Sequence, residues 1–283
     1  MIYILLSILL FSFNNILWKK NLEKLPVTFL VAYRAFFTSA VALFFYFYFH
    51  SKAVVSYPLI LQITSGSLFG VMGLFSMLHV IKNNSLQWLG IYNLLGIIFT
   101  CLYLWFFEKV AFTQAVFGLI LILLGFVFFI FNNKQTQIKI NKKHHGLLLL
   151  MTVSFSISSL IHWKNLTSDI PPLLIITNQE LVVFISAVIF TFFKHKAINF
   201  SEVCKNYFLR VFLMALIIFL ALLFSFMGLK ITNPLISSVL FLASPLTTIM
   251  LSAIFFKEKL RVKDIIAILI IAFGAFILHF FSV

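Results

Sequence analysis

Two charged residues lie deep inside otherwise apolar stretches of the chain. Arg34 is about eight residues, or roughly 12 Å, into an apolar run, and Glu180 about nine residues, or roughly 14 Å, into another. If the two runs enter a membrane from opposite faces, both charges come near the middle of a hydrocarbon layer about 30 Å thick. Such a pair could bind the carboxylate and the ammonium of an amino acid, because charges within a membrane are costly and mark functional sites. The alternatives are a structural ion pair, or an arginine bonded to helix carbonyls beside a protonated Glu180.

Further polar side chains recur at matching places in the two halves of the chain. Asn14 corresponds to Ser158, and Trp88 corresponds to Ser238. Such pairs could line one cavity, or they could join helices or anchor them at the membrane surface. The candidate substrate-binding residues are Arg34, Glu180, Asn14, Tyr33, Trp88, Tyr92, Asn93, Asn178, Ser237 and Ser238. Pro245 breaks one helical hydrogen bond and is a candidate for a gating hinge or a passive kink.

Catalytic and metal-binding patterns do not emerge from the sequence. Its seven carboxylates are Glu23, Glu108, Asp169, Glu180, Glu202, Glu258 and Asp264. None of them forms a pair with the spacing of metal ligands or of a general acid and base. Cys101 lies in an apolar run and Cys204 in a predicted loop, which provides no disulfide framework. We therefore expect neither an enzyme nor a metal or cofactor site.

The elements that must position these residues are ten apolar segments. The chain is 63% hydrophobic and only 10% charged, whereas a soluble domain carries roughly 25% charged residues. Each segment is apolar on nearly every face, which predicts membrane-spanning helices and excludes the alternating strands of a β-barrel. Segments 1 to 10 cover residues 2–18, 26–49, 58–81, 84–107, 110–131, 146–165, 171–193, 207–229, 233–256 and 262–281.

Positive charge is distributed unevenly among the loops. Of the 21 Lys and Arg residues, 16 are assigned to the loops after odd-numbered segments and 4 to the loops after even-numbered segments. The net charge of +14 is therefore explained by anionic membrane lipid and topology, not by nucleic acid. The positive-inside rule places the odd-numbered loops in the cytoplasm and both termini outside.

The second half of the chain repeats the first. Residues 74–110 align without a gap with residues 224–260, and Pro26 corresponds to Pro171. Five segments per repeat is an odd number, so the halves must cross the membrane in opposite senses. We predict an all-α membrane protein with ten transmembrane helices in two inverted five-helix repeats. The repeats would be residues 1–133 and 146–283, joined by a basic linker loop at 134–145.

With these features the chain resembles the drug/metabolite transporter superfamily, and within it the EamA-type permeases with ten helices. The resemblance rests on the 5+5 layout, Tyr33-Arg34 in segment 2, Ser237-Ser238 and Ser244-Pro245 in segment 9, and residues 256–260 before segment 10. It implies a central cavity walled by the first four helices of each half. It also implies both termini in the cytoplasm, opposite to the charge distribution, so import and export both remain open.

The function expected from this resemblance is secondary transport. The expected solute is an amino acid or similar zwitterion that crosses the bacterial inner membrane by alternating access, with possible proton coupling through Glu180. A quaternary-ammonium or nucleotide-type solute, a lipid-linked precursor flippase and a scaffold without transport activity are the alternatives. The expected partners are the small-molecule substrate and membrane lipid, in a monomer or homodimer.

Overall fold

The described part of the chain is all-helical. The computed structural model describes residues 2–50, 56–82, 84, 86–109, 141–194, 200–231, 243–257 and 262–281, with residues 237 and 241 and scattered positions between 117 and 131. Its helices are α1 Ile2–Leu22, α2 Val27–His50, α3 Tyr57–Ile81, α4 Leu86–Phe107, α5 Lys142–Thr167, α6 Pro172–Lys194, α7 Phe200–Ile231, α8 Ala243–Phe256 and α9 Val262–Phe281. Helices α1 to α4 correspond to segments 1 to 4, and α5 to α9 correspond to segments 6 to 10.

Most of segment 5 and the start of segment 9 lie outside the described residues. The nine helices of the described part therefore leave the predicted count of ten unconfirmed. Several predicted loops are shorter in the structure. Helix α1 continues to Leu22, and α7 begins at Phe200, so Cys204 lies in a helix and not in the predicted loop. Helix α5 begins at Lys142 and takes up the last four residues of the linker 134–145. The side chain of Asn141 caps this helix by accepting a hydrogen bond from the backbone N–H of Lys143.

Prolines and lysines mark equivalent helix ends in the two halves. Helix α2 follows Pro26 and α6 follows Pro171, and each proline carbonyl accepts a backbone hydrogen bond from the first turn. At the other end, α4 and α8 are followed by Lys109 and Lys257, both in the left-handed conformation with φ of 54°. The same local chemistry thus begins and ends corresponding helices.

The surface is strongly apolar, and several polar and charged side chains are buried inside, unlike in a soluble protein. Phe44, Phe107 and Phe193 are 66%, 72% and 84% exposed, while Arg34 and Glu180 are each 2% exposed. The helices long and apolar enough to cross a membrane are α1, α2, α3, α5, and the parts of α6 and α7 at Pro172–Phe193 and Lys205–Ile231. Lipid tails solvate apolar side chains and leave polar ones to be satisfied within the protein. The chain is a multi-pass membrane protein.

The two halves interdigitate, because the most extensive contacts all join a helix of residues 1–133 to a helix of residues 146–283. Each contact has a counterpart in which the halves exchange roles. The contact of α3 with α5 corresponds to the contact of α1 with α7. In the same way, the contact of α3 with α6 corresponds to that of α2 with α7, and the contact of α1 with α8 corresponds to that of α4 with α5. Helices α2 and α6 pack on each other, as do α4 and α8.

Individual hydrogen bonds show the same exchange. Ser12 of α1 donates to the carbonyl of Ser244 in α8 at 3.2 Å, and Ser156 of α5 donates to the carbonyl of Gly96 in α4 at 3.4 Å. Ser12 and Ser156 are equivalent in sequence, so Gly96 corresponds to Ser244, 148 residues later. Lys109 and Lys257 have the same separation. The gap-free alignment, which uses a separation of 150 residues, is therefore displaced by two residues in α4 and α8.

Candidate functional site

A cavity of about 330 Å³ lies between the two halves, and its described wall is drawn from α1 to α8. The polar lining residues are Asn14, Asn15, Arg34, Asn93, Thr100, Thr152, Ser156, Ser158, Ser159, His162, Gln179, Glu180, Ser225, Ser237 and Ser244. The aromatic ones are Phe11, Trp18, Phe155, Phe226 and Phe241. The wall therefore comes from the first four helices of each half, as the family resemblance implies. Its size suits a small organic molecule.

Arg34 and Glu180 meet in this wall. Arg34 Nη1 lies 2.6 Å from Glu180 Oε2, and the two side chains are 2% and 3% exposed. The guanidinium carbon is also 5.6 Å from the ring centre of Trp18, within the range of a cation–π interaction. Helices α2 and α6, which pack closely on each other, hold the pair.

The geometry of this pair leaves hydrogen-bonding capacity unused. Arg34 Nη1 and Glu180 Oε2 form a close ion pair, and Arg34 Nε has no hydrogen-bond partner among the described residues. An isolated structural ion pair is stabilised mainly when such atoms are satisfied. The arrangement can offer donors to an anionic group and an acceptor to a cationic group.

Three other predicted residues are at the cavity. Asn14 and Asn93 line it, as does Ser237. Asn14 is 2% exposed and Ser237 is 3% exposed. Together with Arg34 and Glu180, these predicted residues line one cavity and come from α1, α2, α4, α6 and position 237.

Asn178 is not among the described lining residues of the cavity, and its side chain is hydrogen-bonded to α3. Its Nδ2 donates to Thr64 Oγ1 at 3.0 Å, and its Oδ1 accepts from Ser67 Oγ at 2.9 Å. Both partners belong to α3, so the amide joins α6 to α3. Asn178 therefore makes the kind of hydrogen bond between helices that was the alternative to a binding role.

Trp88 and Tyr92 form a second cluster with the start of α5. Tyr92 Oη is 2.6 Å from His145 Nδ1, and the Trp88 and His145 rings meet edge to face at 5.4 Å. Tyr33 packs between Phe29 and Phe37, with ring centres 5.8 Å and 5.2 Å apart. These three predicted binding residues are not among the described lining residues of the cavity.

The structure does not show where the side chains of two predicted residues lie. Ser238 lies outside the described residues. Pro245 is the third residue of α8, and its side chain lies outside the described part of the chain, so its gating role stays a prediction.

On α5, sequence reasoning named Ser158 and Ser159 as possible cavity residues but missed the longer polar stripe that faces the cavity. Thr152, Ser156, Ser159 and His162 recur every three or four residues and all line it, which is the spacing of one helix face.

Across the described residues no group of three or more His, Cys, Asp or Glu side chains could hold a metal ion.

Helix α5 also approaches α3 closely along a line of glycines. A Cβ at Gly66 would lie 2.8 Å from His162, and one at Gly73 would lie 2.7 Å from the ring of Phe155. Gly70 lies between Ser158 and Gln179, with 3.3 Å and 3.9 Å to them. The missing side chains let α3 bring α5 and α6 to the cavity edge.

A polar cavity lies between two sets of helices whose outer faces are apolar, an arrangement typical of membrane transport proteins. Residues 144–280 match the EamA-like transporter family. The second half of the chain thus carries an EamA-like domain of the drug/metabolite transporter superfamily, which confirms the resemblance seen in the sequence.

Solved structures share the fold along nearly the whole chain. One crystal structure matches with a TM-score of 0.73 at 16% sequence identity, and the match covers 98% of this chain and 94% of the other. At this identity the likeness concerns the fold alone. No curated protein matches the sequence.

Proposed function

We propose that the protein is a secondary transporter that moves a small zwitterionic solute, most simply an amino acid, across the bacterial inner membrane by alternating access. The observation that carries this proposal is the Arg34–Glu180 pair in the cavity wall. Its two charged groups can separate to hold a carboxylate at the guanidinium and an ammonium at the Glu180 carboxylate. Binding would replace one ion pair by two.

The location of the pair supports transport over a static role. Arg34 and Glu180 stand eight and nine residues after the corresponding prolines Pro26 and Pro171, and they contact each other. A two-fold axis brings equivalent residues of two repeats together only near the axis itself, so Arg34 and Glu180 would lie close to it. Inverted-repeat transporters bind their solute near that axis, around which the halves rock.

The exchanged helix contacts support the inverted five-helix repeats themselves. Helices α3 and α5 run antiparallel, since Gly66, Gly70 and Gly73 meet residues 162, 158 and 155 in turn. The counterpart α1 and α7 are also antiparallel, because Tyr3 stacks on Phe224 while Asn21 contacts Met214.

The test uses purified protein in detergent and a panel of free and blocked amino acids. We expect a free amino acid to raise the melting temperature, because a ligand that binds only the folded state stabilises it. Its N-acetyl and methyl-ester derivatives, each lacking one charge, should not. The amino acid that binds should then be taken up by proteoliposomes. Equal binding of the blocked derivatives would refute the zwitterion site.

A quaternary-ammonium solute is the second candidate, favoured by the aromatic part of the wall. Phe11, Trp18, Phe155, Phe226 and Phe241 line the cavity together with Glu180, and aromatic faces attract such cations. Choline in the same panel separates the two candidates, since it lacks a carboxylate for Arg34.

The direction of transport depends on orientation, for which we propose the topology that the loop charges favour. A reporter that is active only in the cytoplasm, fused at Lys142, should be active. A reporter active only after export that works at this position would reverse the orientation.

A further inference from the structure

Two cavity residues away from the ion pair carry buried polar atoms with no partner among the described residues. His162 is 1% exposed, and neither of its ring nitrogens is hydrogen-bonded there. Asn14 is 2% exposed, and its Oδ1 also has no hydrogen-bond partner among the described residues. Both line the cavity. Because an unmade hydrogen bond is costly in such surroundings, these atoms are suited to a polar ligand.

His162 lies about one helical turn from the level of the ion pair. Gly70 of α3 faces Ser158 and Gln179, and Gln179 precedes Glu180, whereas Gly66 faces His162. Four residues separate Ser158 from His162 on α5, which is a rise of about 6 Å. His162 is therefore displaced along α3 towards its N-terminal end.

Asn14 is displaced towards the same end of the cavity. Trp18 packs on Arg34, and Asn14 precedes Trp18 by one turn of α1. The N-terminal end of α1 meets the C-terminal part of α7, where Ile4 lies against Gly228. That part of α7 also carries Phe226, whose ring is 5.4 Å from the His162 ring.

We propose that His162 and Asn14 form a second subsite, which binds an uncharged hydrogen-bonding group of the solute about one helical turn from its charged end. The imidazole in its neutral form has one donor and one acceptor, and Asn14 Oδ1 is an acceptor. A primary amide complements them with an N–H₂ group and a carbonyl. The inference rests on the proposed function and narrows the solute to an amino acid with a polar, uncharged side chain.

The test compares amino acids of similar shape that differ in hydrogen bonding. Asparagine is paired with leucine, and glutamine with methionine, in melting-temperature titrations of the purified protein. The amide of each pair should bind at least about tenfold more tightly, the effect of one buried hydrogen bond. Leucine and methionine binding as tightly as the amides would overturn the subsite and leave the proposed function standing. If none of the four binds, the subsite proposal fails, and the panel of free and blocked amino acids decides the proposed function separately.

Variants assign the preference to particular residues. His162→Leu should reduce the preference for the amide about tenfold, and His162→Gln, which restores a donor and an acceptor, should recover part of it. The matched control is Asn165→Leu, because Asn165 is 0% exposed and has no side-chain hydrogen bond among the described residues but is not a described lining residue. It should keep the preference.

Asn14→Leu gives an independent measurement if His162→Leu does not fold. It should weaken the amide and leave leucine binding unchanged. An unaltered preference in a folded His162→Leu or Asn14→Leu variant would refute the role of that residue.

Discussion

Asn178 and Glu180 stand two residues apart on α6, yet their surroundings differ. The amide of Asn178 both donates and accepts hydrogen bonds with side chains of α3. Glu180 faces the cavity and forms an ion pair with Arg34, whose Nε has no hydrogen-bond partner among the described residues. Within a membrane, a polar group satisfied by a neighbouring helix stabilises the fold. A polar group left partly unsatisfied at a cavity is available to a ligand.

The largest effect is expected from breaking the ion pair. Arg34→Leu alone should lower stability by about 3–5 kcal/mol, because it leaves Glu180 buried without its partner. The double variant Arg34→Leu with Glu180→Leu should recover this stability without recovering transport. Thermal unfolding in detergent and proteoliposome uptake of the bound amino acid measure the two properties.

Arg34→Lys separates charge from geometry in the same assays. We expect transport to be lost, since an ammonium cannot reproduce the two parallel hydrogen bonds of a guanidinium to a carboxylate. Wild-type transport in the stable double variant would instead make the pair purely structural, like Asn178.

A smaller effect is expected at a close approach between the two halves. Gly73→Ala should destabilise by about 1–3 kcal/mol, because the added Cβ would lie 2.7 Å from the Phe155 ring. Gly146→Ala is the control, since a Cβ there meets nothing within 4 Å. It should raise stability slightly, as alanine favours helix. Equal melting temperatures of the two variants would contradict the close contact.

Asn178→Ala should cost about 1 kcal/mol, the size of a typical hydrogen bond between membrane helices. Transport should survive, because the amide is bonded to α3. A variant that unfolds normally but loses binding of the amino acid would place Asn178 in the solute site.

The smallest effect is expected at an exposed pair. Lys230 Nζ is 3.0 Å from Asp169 Oδ1, but the side chains are 42% and 90% exposed. Asp169→Asn should change stability by less than about 0.5 kcal/mol, since solvent screens the pair and asparagine tolerates the φ of 60° at this position. The same unfolding measurement would reveal a larger effect.

Positions along the membrane normal were predictable from the sequence. The apolar runs located the described helices, and the depths of Arg34 and Glu180 predicted that the two would come to one level. This worked because helical rise converts residue number directly into depth. Their contact in the structure agrees with that estimate, while their role in binding stays a prediction.

Which way each side chain faces was harder to predict. Trp88 and Asn178 share helices with cavity residues but contact neighbouring helices, and Tyr33 packs on Phe29 and Phe37 of its own helix. These segments are apolar on nearly all faces, so the sequence does not indicate their rotation. His162 stands near the end of segment 6 and was not among the predicted site residues, yet α5 continues to Thr167 and the imidazole lies against Gly66 of α3 and Phe226 of α7.

The line of glycines in α3 shows a difference between the two predicted repeats. When the separation of 150 residues is continued back from residue 74, Gly66, Gly70 and Gly73 correspond to Leu216, Leu220 and Leu223, while Gly228 corresponds to Leu78. At Gly66 and Gly73 even a Cβ would lie within 3 Å of a side chain of α5, so a leucine side chain has no room there. The two predicted repeats are therefore not interchangeable at this helix contact.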